Sequence, residues 1–159
     1  MSQRGFTLVE LMITVTIMGI LMTIGSFAFS AQQRKAGIDT QTRTIYGDLV
    51  ETRQRALFEK NSRLIRMLSA TSYAIYGSAD PATTPLVTRT LRVPVTWSGA
   101  TDIVFDTRGM LALDNKTAIC IMGGNDAPVD SILVSSTSIQ LGKLDQGATS
   151  CVDSKVVAR

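Results

Sequence analysis

The chain has no histidine and only two cysteines among its 159 residues. Without imidazole there is no Ser-His-Asp or Cys-His nucleophile pair, and most zinc sites are excluded as well. Proline is scarce, four in all, and the first is Pro81, so nothing of that kind breaks a helix in the first 80 residues. No Gly-rich phosphate cradle occurs. Asp102, Asp106, Asp114, Asp126, Asp130 and Asp145 each lie beside turn residues and read as solvated turn aspartates, not as paired catalytic acids. The stretch Asp126-Ala127-Pro128-Val129-Asp130 lacks the alternating oxygen ligands of a dedicated calcium loop. Neither catalysis, nor a cofactor, nor a metal is expected.

Charge is missing where it matters most. From Phe6 to Phe29, 24 residues, the one charged side chain is Glu10. An acid inside a membrane segment costs about 2.5–3.5 kcal/mol on insertion scales, so it needs a partner or a function. Three readings compete for this segment. A secretory signal peptide would use Arg4, the apolar region and a small-residue site at Ala28-Phe29-Ser30, but its apolar region is typically about 7–15 residues. A plain membrane anchor needs about 20 apolar residues. Neither accounts for Gly5 immediately before Phe6, nor for Glu10.

The run Gly5-Phe6-Thr7-Leu8-Val9-Glu10-Leu11-Met12 resembles the processing motif of type IV prepilins and type II secretion pseudopilins. That resemblance implies cleavage between Gly5 and Phe6 by a prepilin peptidase at the cytoplasmic face, and N-methylation of Phe6. It implies that Glu10 meets the N-terminal amine of a neighbouring subunit. The physics agrees, because an ammonium at Phe6 and a carboxylate at Glu10 each offset the other's desolvation when paired between chains. Flanking charge, Arg4 on one side and Arg34 with Lys35 on the other, leaves orientation ambivalent. The motif settles it: single-pass in the bacterial inner membrane, with the C-terminal domain periplasmic. The implied partners are other pilin or pseudopilin subunits, the peptidase and the inner-membrane assembly platform.

The chain then divides into a leader at 1–5, a transmembrane or filament-core half-helix at 6–29, an amphipathic half-helix at 30–60 and an antiparallel sheet at 61–159. Ile38, Ile45, Leu49, Ala56 and Leu57 recur on one stripe, which Tyr46 and Phe58 widen. One helix of about 50 residues is predicted from Phe6 to Glu59, about 75–80 Å long at 1.5 Å per residue. Many major pilins carry a helix-breaking proline where this chain has Phe27, which tilts the resemblance toward a minor subunit or a pseudopilin. Beyond Asn61 the period changes. Short strands are predicted at Arg63–Leu68, Ser72–Tyr76, Leu86–Val93, Asp102–Phe105, Thr117–Met122, Ser131–Ser135 and Ser138–Leu141, with turn residues between them. The fold class is α+β, and the soluble part is one modest domain.

A second likeness lies in Ile103-Val104-Phe105-Asp106-Thr107-Arg108-Gly109, which resembles the Phe-Asp-x-x-Gly turn of the GspH/FimT family of minor pseudopilins and minor pilins. Read physically it is a hairpin turn in which Asp106 accepts backbone N–H bonds and Gly109 supplies a positive φ. Given export, Cys120 and Cys151 are expected to form a disulfide tethering the C-terminal tail to a strand.

Nucleic acid binding is not expected. The Gly-Arg-x-Arg that some members of this family use has no counterpart in Ser135–Gln140, and Lys143, Lys155 and Arg159 are widely spaced. Residues 32–66 carry eight Lys/Arg against four Asp/Glu, whereas residues 67–159 carry seven against eight. The expectation is therefore a subunit that primes or caps assembly of a type IV pilus or a type II secretion pseudopilus. The alternative is a membrane-anchored extracytoplasmic binding module, including a DNA-uptake pilin, that never polymerises.

Overall fold

The computed structural model of the chain describes residues 7–112, 116–122, 125–145 and 147–158, and for residues 24–28 the backbone alone. One helix, α1, runs Leu8–Glu59. The expected start at Phe6 lies outside the described residues. The chain separates into two compact units, residues 1–34 and 35–159.

In the second unit α1 buries Ile38, Ile45, Leu49 and Ala56, none more than 3% exposed. Thr42 and Thr52 fill the gaps in this stripe, each 2% exposed. Their hydroxyls stay satisfied inside the core because each donates to the carbonyl four residues back, Ile38 O and Asp48 O. A threonine can therefore stand in for an apolar residue there. Two expected members of the stripe leave it. Leu57 is 40% and Phe58 80% exposed. They lie at the last turn, where the helix has passed the edge of the core that Ala56 closes.

Two antiparallel sheets form where one was expected. The first joins β1 (Arg63–Ser69), β2 (Ser72–Tyr76), β3 (Val87–Thr90) and β5 (Asp102–Phe105) in the order β3-β2-β1-β5. The second joins β4 (Thr96–Trp97), β6 (Thr117–Cys120), β7 (Ser131–Val134), β8 (Ile139–Leu144) and β9 (Val156–Ala158) in the order β4-β6-β7-β8-β9. The predicted strand Leu86–Val93 is cut to four residues. After Thr90 the chain turns through Leu91 toward Pro94, which has no N–H for a ladder. Strands β4 and β9 escape sequence reading because two or three residues give no measurable alternation.

Alternation decides the faces. Ile65 and Met67 of β1, Tyr73 of β2, and Ile103 and Phe105 of β5 join the helix stripe in one core, together with Ile119 of β6 and Ile132 and Val134 of β7. On the other face of the first sheet Leu64, Ala74 and Tyr76 form a small second cluster. On the other face of the second, Ala118, Cys120, Leu144 and Cys151 form a third.

Candidate assembly surface

In the N-terminal unit the described apolar side chains of α1 are exposed. Thr7 caps it: the N–H of Glu10 donates to Thr7 Oγ1 at 3.2 Å, and the N–H of Leu11 to Thr7 O at 3.2 Å. Thr-x-x-Glu is the spacing of a capping box, a local signal that sequence reading for processing passed over. Thr14 and Thr16 donate to Leu11 O and Met12 O at 2.8 and 2.7 Å, so these hydroxyls need no water. Eleven large apolar side chains from Leu8 to Met22 are all at least 52% exposed, and Phe29 is 65% exposed. Covering the eleven is worth on the order of 20 kcal/mol at about 2 kcal/mol each. So large an uncovered apolar surface calls for lipid or other helices. The carboxylate of Glu10 has no partner among the described residues, and Gly5 and Phe6 lie outside them. Described side chains of this segment stop at residue 23 and resume at 29, and among the described residues no helix is long and apolar enough to cross a membrane.

In the folded unit three polar side chains of α1 fasten strands and loops of the two sheets. Gln41 donates to Val93 O at 2.7 Å and accepts the N–H groups of Arg92 and Val93 at 2.9 and 3.0 Å, holding the β3–β4 connection. Asp48, 7% exposed, accepts the Tyr73 hydroxyl at 2.6 Å and Arg89 Nε at 3.1 Å, tying β2 and the edge strand β3 to the helix. Burial, reinforced by the bond to Asp48, pushes the Tyr73 phenol well above its ordinary range. The same carboxylate raises Arg89. Arg53 donates from Nε to Gly109 O at 2.7 Å and from Nη2 to Thr137 O at 2.8 Å, so one guanidinium holds a turn from each sheet. Sequence reading missed all three, because polar residues in an amphipathic helix look solvated until the loops they reach are known.

The Asp106 turn has the expected chemistry. Asp106 Oδ1 accepts the N–H groups of Arg108 and Met110, both at 2.9 Å, and Gly109 has φ 69°. The backbone bond from Met110, followed by the Arg108 side chain, holds the Asp106 carboxyl below its usual range. A Cβ on Gly109 would stand 3.4 Å from Arg53 O and from Leu57 Cβ, an ordinary contact distance, so it is the positive φ that calls for glycine here.

The other aspartates divide. Asp102 is gripped by Arg66 through two bonds of 2.6 Å, which lower its pKa. Asp126 is exposed and faces Lys35 at 3.1 Å. Asp145 serves through its backbone, its N–H donating to Lys155 O at 2.9 Å. Asp114 lies outside the described residues. Asp130 corrects the expectation of a solvated turn: it is 3% exposed, 2.9 Å from Lys143 Nζ, and accepts the Leu144 N–H at 2.7 Å. Among the described residues no group of acids, cysteines or histidines could hold a metal.

Cys120 of β6 and Cys151 of the tail form a disulfide with Cα atoms 5.8 Å apart. The tail is thereby tethered to β6, as expected. Gly142 explains how closely: a Cβ there would collide with Val156 Cγ1 and lie 3.0 Å from Val157 O, so β8 and β9 close only over glycine.

Two comparisons place this architecture among known proteins. Residues 1–26 match the prokaryotic N-terminal methylation motif. No curated protein matches the chain in sequence. Among solved structures it is similar to the type IV minor pilin FimU of Pseudomonas aeruginosa strain PAO1 in two crystal forms. The P21 form gives a TM-score of 0.56 at 14% identity over 68% of this chain and 90% of that one. The P65 form gives 0.54 at 18% identity over 64% and 90%. The chain carries a prepilin-type N-terminus and has the type IV pilin fold, α+β, with a long helix packed on antiparallel sheets.

Proposed function

We propose that the chain is a minor pilin or pseudopilin, a non-enzymatic structural subunit of a type IV filament machine. A prepilin peptidase cuts between Gly5 and Phe6 and methylates Phe6. The helix from 6 to 29 holds the subunit in the inner membrane, with residues 30–159 on the periplasmic side. In the filament that helix moves from lipid to a core of other subunits' helices, and the assembly platform drives the transfer. The subunit primes or caps assembly from this position.

The observation that supports this reading is the helix itself, whose described apolar side chains are exposed and whose one acid has no partner among the described residues. Lipid alone would cover the apolar surface but would leave the acid stranded. A neighbouring chain's N-terminal ammonium answers both needs. The methylation motif and the likeness to FimU add their weight.

The test is E10V. It should insert into membrane normally and be missing from sheared filaments. Normal incorporation contradicts the pairing, whereas absence of the wild-type chain from sheared filaments favours an anchored module that does not polymerise.

A further inference from the structure

We propose that the pocket between the middle of α1 and the Asp106–Gly109 turn binds an acidic segment of another protein chain flanked by apolar residues. The pocket measures about 360 Å³, with Tyr46, Val50, Arg53, Leu57, Arg108 and Ile139 around it, and is separate from the cleft between α1 and β3.

Arg53 forms the pocket's charged centre. Its two bonds go to neutral acceptors, Gly109 O at 2.7 Å and Thr137 O at 2.8 Å, and no carboxylate among the described residues lies within 4.0 Å of it. A guanidinium has five N–H donors, so the carbonyls fix its direction and leave donors over. Arg108 stands at the rim, 77% exposed and 2.9 Å from Asp106. The Tyr46 hydroxyl and the Gln54 amide, which also border the pocket, make no hydrogen bond among the described residues. Val50, Leu57 and Ile139 supply apolar walls.

An uncompensated, pre-oriented arginine between apolar walls suits a carboxylate carried on an apolar segment. A nucleic-acid backbone would need a run of cations, and the pocket offers two. A bare anion would make no use of the walls.

The test uses the full-length protein in detergent micelles, with the Arg53 Nε–H signal followed by NMR. The probes are acetyl-Leu-Glu-Leu-amide, its Gln counterpart and inorganic phosphate. The Glu peptide should shift the signal and bind at least about tenfold more tightly than the Gln peptide, and phosphate should have little effect. L57E places a carboxylate four residues after Arg53, where it fills the site from within, and should abolish the shift. R108E leaves both Arg53 bonds in place and should weaken binding several-fold. Equal response to the Gln peptide or to phosphate, or no response to the Glu peptide, overturns the proposal.

Discussion

Arg53 Nε donates to the carbonyl oxygen of Gly109 at 2.7 Å across 56 positions of sequence. With the second bond to Thr137, this side chain makes the helix a clamp for both sheets, and Gly109 supplies the positive φ of the turn that it grips. R53A should lower stability by about 2–4 kcal/mol, since hydrogen bonds from a charged donor are worth about 1.5–3 kcal/mol each and water replaces them in part. R53K keeps the charge and loses the fork, so it should recover less than half of that. Urea unfolding of the detergent-solubilised protein measures both, and a wild-type midpoint for R53A would contradict the clamp.

Gly142 sits where β8 meets β9. G142A should push Val156 and Val157 away at a cost of about 1–3 kcal/mol, typical of overpacking. Limited proteolysis should then cut the tail near residue 150 sooner than in the wild type. Unchanged resistance would show that the strands can give.

The Cys120–Cys151 bridge spans 31 positions. Its removal in C120S/C151S should cost about 3–4 kcal/mol by the loop-entropy estimate. Thiol labelling of the exported protein without reductant should find no free cysteine. Two labelled thiols would contradict the bridge.

Stability should fall at both ends of the pH range. Asp102 and Asp106 have folded pKa values below the ordinary 3.8. The unfolded chain therefore takes up protons first, and the stability these groups supply is present above about pH 3.8 and lost as pH falls through their folded values. Tyr73 is shifted the other way, above the ordinary 10.0. Its contribution is complete below pH 10 and is lost as pH rises further. D102N should flatten part of the acid limb and Y73F the alkaline one, read from thermal melts against pH. Unchanged limbs would remove these groups as the cause.

Features set by a few neighbouring residues were legible in the sequence. Glu10 alone in an apolar run, the Asp106–Gly109 turn and the buried Ile38, Ile45, Leu49 and Ala56 stripe each depend on local spacing. Features set by distant partners were not. Two sheets in place of one follow from β5 pairing back to β1 while β4 pairs past it with β6. Asp130 looks like any turn aspartate until Lys143 is beside it. Gln41, Asp48 and Arg53 acquire their roles from strands and loops 25 to 84 positions away. The Thr-x-x-Glu cap was local and legible, but a second reading of the same residues hid it.

The most direct measurement is the intact mass of the protein extracted from its native membrane. The account expects residues 6–159 plus one methyl group, less two hydrogens for the disulfide. An uncut chain, or one beginning after Ser30, would contradict it.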